Sequence, residues 1–513
     1  MQALGNTKIT PLAVWSEGQA DSLEGVLANI TKVFRPSQAI IDGHWVDALD
    51  SQRFERLSPR DGSIVSSFPA LKAEDIDLAV KSARRAFDQG VWRLMPPRQK
   101  KAVFLKWQEL LRAHAEPLAL LETMDTGKPI RDSRSVDIPL SIQSVGYYGE
   151  AIDKIYGEVA PSPHNRLSYC EHEPLGVVGA IVPWNFPLHM ALWKVAPCLA
   201  MGNSILLKPA ENSSMTALYA AALAHEAGLP AGVLNVVTGL GSEAGDAMAR
   251  HMDIDMIAFT GSGRVGRMLM VASGQSNLKR VSLELGGKSP QIVFDDADLD
   301  EAALAAAWGV FYNQGQVCTA ASRLFVHASI KDQFLPKVLD VARSIKVGDP
   351  YDPLTQFGSM ISPSQMHTVL GYIKMAKDDG AHCLMGGGAL SVIEGGSYLS
   401  PTIFDGVQRH HKIASEEIFG PVLAVMGFED EAEVIRLGND TVYGLAAGLW
   451  TRDLGRAMRV SRALKAGMVW VNGWDACDIS SPFGGFKQSG FGRDRSLHAL
   501  YKYADLKSTS FSF

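Results

Sequence analysis

The sequence predicts an α/β protein built on parallel sheets with helices on both faces. Three observations predict it. Between Leu175 and Leu285, short apolar runs alternate with helical segments over connections of a few residues, a pattern that produces parallel sheets covered on both sides. Residues 288–480 repeat the alternation with different sequence, giving a second α/β unit. The chain has 513 residues, 46% hydrophobic and 20% charged. That composition is ordinary for a soluble globular protein, and at roughly 150 residues per domain the length allows two to four domains.

Taken in order, residues 1–70 are mixed, with strand-like pieces such as QAIIDGHWV (38–46) and no role visible in the first 30, part of which is expected to be disordered. From Ala73 to His114 the spacing of apolar residues is helical, and a further helical stretch runs to Asp153. LGVVGAIV (175–182) and SILLK (204–208) read as buried strands. SSMTALYAAALAHEAG (213–228) reads as a helix with serines at its start and Gly228 at its stop. VLNVV (233–237), MIAF (256–259) and RVSLEL (280–285) are strands, with helices over EAGDAMARH and GRVGRMLMVAS between them. PQIVF, DEAALAAAWGVFYN, SRLFV and DQFLPKVLDVARSI continue as strand, helix, strand, helix. The tail after Gly490 is short and ends in the strand-like STSFSF.

Charge and cysteine usage exclude several classes. Lys and Arg number 49 against 55 Asp and Glu, so the net charge is −6, without a long run of one sign. A nucleic-acid surface is not expected. Cys170, Cys198, Cys318, Cys383 and Cys477 are odd in number, and no two have the spacing of metal ligands. Neither a disulfide framework nor a metal site is expected, and a reducing, cytoplasmic compartment is. The N-terminus lacks a charged start followed by an apolar block, so no signal peptide is expected. The most apolar stretch, PLGVVGAIVPWNFPLHMALW, is broken by Pro183, Asn185 and Pro187. It reads as a strand entering a loop, not a membrane span.

FTGSGRVG (259–266) joins a strand to a helix and spells G-x-G-x-x-G through Gly261, Gly263 and Gly266. Glycines let the backbone approach a ligand, and the free N–H groups of a first helical turn favour an anion such as pyrophosphate. The same pattern also suits a plain tight turn. It follows the fourth strand of its series, unlike a standard dinucleotide fingerprint, where it follows the first. Lys208, with Glu211 three residues later, makes a better ribose site than Glu284, which leaves Glu284 for other work.

Cys318 lies in FYNQGQVCTAASR, a glycine-containing loop beyond a helix, where a thiol can act as a nucleophile or remain a buried, inert side chain. Asn185, just beyond a strand, is either a turn former or an amide donor to a developing oxyanion. Glu284 stands between leucines in SLELGG. Apolar neighbours raise a carboxyl pKa and suit it to general-base work, although a buried ion pair or cap has the same signature.

Together, PWNFP (183–187), KPAENS (208–213), FTGSGRVG (259–266), LELGGKSP (283–290), NQGQVCTAASR (313–323), EEIFGPV (416–422) and PFGGFKQSGFGR (482–493) resemble the aldehyde dehydrogenase superfamily, in family order and over most of the chain. The resemblance implies an aldehyde dehydrogenase-like fold. A Rossmann-like NAD-binding domain would take 1–150 and 173–284, and an α/β catalytic domain 285–480. A small β bridging element at 151–172 and 490–513 would join subunits into a homodimer or homotetramer. It implies Cys318 as nucleophile, Asn185 with the Cys318 N–H as oxyanion hole, and Glu284 as general base. It implies Lys208 and Glu211 on the adenosine ribose, Trp184 along the cofactor cleft, and Gly261, Ser262 and Gly266 at the pyrophosphate. Glu417 and Phe419 would meet the nicotinamide ribose and ring. The implied cofactor is NAD, since Glu211 would repel a 2′-phosphate, with NADP use known in the family.

The substrate implied is a small-molecule aldehyde. The C-terminal PFGGFKQSGFGRDRSLHALYKYADLKS looks like the bacterial subgroup acting on γ-glutamyl-γ-aminobutyraldehyde and related ω-aminoaldehydes of polyamine breakdown, and a broad aliphatic or aromatic aldehyde oxidiser is the alternative. In VNGWDACDISSPFGG, Asp475 and Asp478 stand between Trp474 and Phe483 in the segment that lines the family's substrate tunnel, joined by His189 and Trp193 after Asn185. Carboxylates beside aromatics suit an amine or amide tail, though loop aspartates also form turns. A cysteine hydrolase without redox chemistry would leave Lys208, Glu211, the glycine turn and Glu417 unexplained.

Overall fold

A computed structural model describes residues 7–476 and 478–513; Cys477 and the first six residues lie outside the described residues. Two large sheets organise the chain. In the first, the strands Leu234–Val236, Ser204–Lys208, Val177–Ile181, Met256–Thr260 and Arg280–Glu284 lie side by side in that order. All four pairings are parallel. Successive side chains of a strand point to opposite faces, and both faces are covered here. Val178, Ala180, Ile205 and Leu207 pack with the helices Pro187–Ala200 and Met215–Glu226. Val177, Leu206 and Ile257 pack with the helices Ala73–Asp88 and Gly263–Gly274. Burial on both faces is why these strands read as continuous apolar runs without alternation.

The edges of this sheet are antiparallel, which the sequence pattern did not signal. Ala39–Ile41 pairs with Leu234–Val236 on one side. Gly490–Phe491 pairs with Arg280–Glu284 on the other. The start of the tail therefore belongs to this sheet, and it lies directly against the strand that carries Glu284. The long helical run expected from Ala73 divides into Ala73–Asp88 and Pro97–Ala113, because Pro97 fits a first helical position and not an interior one. Residues expected to be disordered are in part a helix, Leu23–Ile30, whose Ser22 cap accepts from the Gly25 N–H at 3.2 Å. Val26 and Ile30 from that helix enter the core.

The second sheet runs His382–Met385, Thr402–Asp405, Val422–Phe428, Arg323–His327, Pro290–Val293, Ala446–Trp450, Met468–Val471. It is parallel except at its first pair. A third, three-stranded antiparallel sheet joins Glu158–Ala160, Arg166–Pro174 and Ala504–Ser512, with Ala504 opposite Pro174 and Ser512 opposite Arg166. Among the described residues no helix is long and apolar enough to cross a membrane, and the four described cysteines form no disulfide.

One buried ion pair supports the wall behind the site. The Lys128 ammonium donates to the Asp137 carboxylate, and neither side chain reaches solvent. The same ammonium lies 4.0 Å from the centre of the Phe186 ring, a cation–π contact strengthened by the dry surroundings. Removing one partner of such a pair strands a charge in a low-dielectric interior. Asp137→Ala is therefore expected to lower unfolding free energy by about 3–5 kcal/mol, measured by denaturant titration, with Lys128→Met added to Asp137→Leu recovering most of the loss.

Candidate active site

The carboxyl edge of the first sheet gathers residues from four neighbouring strands. Lys208 ends one strand, Trp184 and Asn185 follow the next, Gly261 and Ser262 follow the third, and Glu284 ends the fourth. Strands lie about 4.8 Å apart, so the distance from the Lys208 strand to the Gly261 turn is about 10 Å, the scale of a dinucleotide's ribose and pyrophosphate. Lys208 is buried, its ammonium pKa is lowered by that burial, and it stands 3.5 Å from Glu211. Glu211 in turn accepts from the Gly241 N–H. Ser262 caps the helix Gly263–Gly274 through the Val265 N–H at 3.4 Å, leaving other N–H groups of that first turn for an anion.

A cleft of about 810 Å³ opens in front of this edge, lined by Trp184, Gly261, Ser262, Glu284, Glu417 and Phe419. Glu417 comes from the second sheet's side and accepts from the Gly287 N–H at 3.1 Å. Burial pushes its pKa up to about 7. A side chain at Gly286 would run into the Glu417 carboxylate, and a Cβ at Gly287 would lie 2.6 Å from the Cys318 carbonyl oxygen. The two glycines of LELGG thus let two loops of the second unit close onto the first sheet. Phe419 holds a left-handed backbone, φ 55°, and meets the Trp184 ring edge-on at 5.2 Å. A cradle of aromatic walls, backbone N–H groups and two carboxylates, Glu284 and Glu417, suits a nicotinamide dinucleotide.

Cys318 lines this cleft and also a second cavity of about 760 Å³. Its loop is bent by three successive left-handed residues, Asn313, Gln314 and Gly315. Two are not glycine, each at a cost of roughly 1–2 kcal/mol. Hydrogen bonds to Asn185 hold the bend. The Asn185 amide donates to the Gln316 carbonyl at 2.9 Å, and the Asn313 amide donates to the Asn185 carbonyl at 3.0 Å. An amide has two hydrogens, so Asn185 keeps one for a ligand. Burial raises the Cys318 thiol well above the usual range, and the negative charges of Glu417, Asp475 and Glu284 raise it further.

Glu284 is buried, and among the described residues neither carboxylate oxygen has a hydrogen-bond partner. Burial, then the charge of Asp494, holds its pKa well above the ordinary carboxyl value, against the opposing pull of Lys502 and Lys194. The Lys194 ammonium pairs with Asp494 at 3.0 Å, and Lys502 pairs with the other oxygen. A carboxyl group kept dry, without a partner and beside a cleft holds its proton more tightly than an exposed one, a setting that general acids and bases share.

The second cavity has aromatic walls. Phe186, Trp193, Tyr312 and Phe483 line it, with Trp193 and Phe483 rings 5.0 Å apart. Asp475 and Arg495 are its charged side chains. Asp475 remains open to solvent; desolvation by the neighbouring atoms raises its carboxyl to about 6, partly offset by Arg495, so it is mostly ionised at neutral pH. The Arg495 guanidinium lies over the Trp193 ring at 5.5 Å. His189, under Trp193 at 4.6 Å, is kept neutral by burial and by Arg495, its pKa lowered to about 3.

Four sequence-predicted site residues lie outside the walls of these two cavities, two of them being Lys208 and Glu211, which pair with one another beyond the cleft. Gly266 does not line the cleft. It is buried under its helix, where a Cβ would press on the Leu285 side chain at 3.1 Å, so its role is close packing of helix on strand. Asp478 is exposed, outside the Cys318 cavity, and accepts from the Ser480 N–H at 3.0 Å. Arg495, Tyr312, Met190 and Gln365 line the cavities and were not anticipated. None of them sits in a pattern that chemistry imposes on neighbouring residues, so no local signal marked them.

Comparison with known proteins agrees with this geometry. The model of the aldehyde dehydrogenase family matches residues 45–509. The chain is 49% identical to the NADP/NAD-dependent aldehyde dehydrogenase PuuC of Escherichia coli (strain K12), over 92% of this chain and 95% of that protein. Among solved structures, an indole-3-acetaldehyde dehydrogenase complexed with NAD+ superposes with a TM-score of 0.95 at 50% identity, covering 96% of this chain and 100% of that one. The γ-glutamyl-γ-aminobutyraldehyde dehydrogenase of Burkholderia cenocepacia J2315 superposes at 0.94 with 49% identity, covering 96% and 99%.

The thiol's surroundings give a direct test. Alkylation of Cys318 by iodoacetamide, followed by peptide mass spectrometry, is expected to be slower at pH 7.5 than that of an unperturbed thiol by about tenfold or more, and to be still accelerating above pH ~9. Glu417→Gln should quicken it by removing a nearby negative charge.

Proposed function

This chain belongs to the aldehyde dehydrogenase family and oxidises aldehydes with NAD; on that premise we propose that Cys318 is its nucleophile and an ω-aminoaldehyde, such as γ-glutamyl-γ-aminobutyraldehyde, its substrate. The observation that carries the reading is the position of one thiol on two cavities, a dinucleotide-shaped cleft and an aromatic tunnel. An aldehyde does not readily release hydride, because its carbonyl carbon is electron-poor. Addition of the Cys318 thiolate, its proton passing to Glu284, converts that carbon to a tetrahedral thiohemiacetal with an alkoxide oxygen. The free Asn185 amide hydrogen and the Cys318 N–H stabilise the alkoxide, each by roughly 3 kcal/mol. When bound, the nicotinamide supplies the acceptor for the hydride the carbon gives up. Glu284 releases that proton to solvent, then takes one from the water that hydrolyses the thioester and returns it to the departing sulfur, freeing a carboxylic acid and the thiol.

The tail-binding reading rests on Asp475. Its carboxylate sits among aromatic rings in the tunnel, a setting that favours a cationic or amide-bearing tail over an alkyl one. The E. coli relative's use of both cofactors keeps NADP as a second electron acceptor, with NAD favoured because Glu211 stands beside Lys208. A second substrate reading has its own observation: four aromatic walls also suit an aryl aldehyde, and a solved relative is named for indole-3-acetaldehyde. The exposed apolar residues of the third sheet, Leu506 and Phe511 among them, support its use in joining subunits.

A panel of aldehydes with NAD and NADP, read at 340 nm, tests the substrate. ω-Aminoaldehydes should exceed alkyl aldehydes of equal length in kcat/KM by about tenfold, and Asp475→Asn should erase most of that gap; equal rates for the two classes would sink the assignment. The base is tested separately. Because the Glu284 pKa is raised, the ionised base is lost as pH falls, so turnover should climb with pH through the neutral range. Glu284→Gln should flatten that climb and cut turnover about 10²–10⁴-fold.

A further inference from the structure

A groove of about 1070 Å³ lies beside the aldehyde tunnel, and Gln143 and Ile479 belong to the walls of both. Both spaces run along the helix Ile138–Ala151, facing the loop that carries Asp475 and Ile479. The tunnel touches that helix at Leu140, Gln143 and Ser144, and the groove runs beside it from Pro139 to Glu150, meeting the tunnel at Gln143. At 1.5 Å per residue, Gln143 to Glu150 is a distance of about 10 Å along one helix face. A ligand with its carbonyl at Cys318 and an extended tail would therefore emerge in the groove.

The groove carries charge of both signs. Arg112, Glu150 and Asp478 line it from three different elements, and Asp478 also feels the charge of Arg495. The Tyr147 phenol stands close enough to Asp478 for that charge, after burial, to raise its pKa. A purely cationic tail end would meet the Arg112 guanidinium, and an alkyl end would desolvate three charges for no return. A tail ending in both an ammonium and a carboxylate offers each a partner.

We infer that this groove is an outer subsite for the zwitterionic, amino-acid-like end of a long aldehyde tail, recognised by Arg112 on its carboxylate and by Glu150 and Asp478 on its ammonium. The inference rests on the ω-aminoaldehyde reading and selects, within that class, substrates carrying an amide-linked amino acid.

The test compares 4-aminobutyraldehyde with its γ-glutamyl amide and its glutaryl amide, which has the same length and lacks the ammonium. The intact enzyme should show the lowest KM for the γ-glutamyl amide, rising with ionic strength as screened charges do. Arg112→Gln should raise KM for both amides, and Glu150→Gln or Asp478→Asn only for the γ-glutamyl one, each by about threefold to tenfold. For Arg112→Gln and Glu150→Gln, kcat should stay within about twofold. A KM for the γ-glutamyl amide no lower than that for 4-aminobutyraldehyde, or variants that shift all three substrates alike, would overturn the subsite while leaving the ω-amino preference standing. Loss of preference for every aminated aldehyde over alkyl ones would overturn both.

Discussion

The amide exchange between Asn185 and the loop before Cys318 is the contact on which the site depends. Asn185 belongs to the end of a strand in one sheet, and Asn313 and Gln316 belong to a loop feeding the other. The loop is bent through backbone angles that Asn313 and Gln314 adopt only at a cost, and two buried hydrogen bonds to Asn185 offset that cost. The same residue therefore ties the loop that carries the thiol to the first sheet and keeps a second amide hydrogen free of that tie. The glycines at 286 and 287 make the approach possible by leaving room for Glu417 and for the Cys318 carbonyl.

Around this junction the electrostatics are arranged by burial more than by pairing. Glu284 and Cys318 both have raised pKa values because protein surrounds them, and their negative forms disfavour one another. The folded chain therefore favours the protonated form of each group. Behind the tunnel wall, Lys128 and Asp137 keep the Phe186 ring in place, so that a side chain facing both cavities is held from a third direction. The tunnel's aromatic rings supply shape and dispersion contacts, and its charged pair, Asp475 and Arg495, sets which polar tails fit.

The strands around Lys208, Gly261 and Glu284 were legible because burial on both faces leaves an unbroken apolar run, and loops carrying chemistry sit at fixed offsets beyond it. The edge strands were not, since three-residue and two-residue pieces such as Ala39–Ile41 and Gly490–Phe491 carry too few residues to show a period. The glycine pattern serves two ends at once: Gly261 lines the cleft, and Gly266 packs its helix against Leu285. Asp475 and Asp478, three residues apart, looked equivalent in the chain. Yet one lines the tunnel and the other the outer groove, a separation that their spacing in the chain does not encode.

By itself the sequence determined the fold class, the order of strands and helices in the first unit and at the start of the second, and a short set of candidate thiol, carboxylate and amide groups, because those depend on local periodicity and on residues grouped within a few positions. Only the tertiary structure decided that Cys318 faces two cavities, that Arg495 joins Asp475, and that the tail's first strand lies against Glu284. Those are contacts between segments far apart in the chain, and they are set by how sheets and loops pack against each other, which no local pattern encodes.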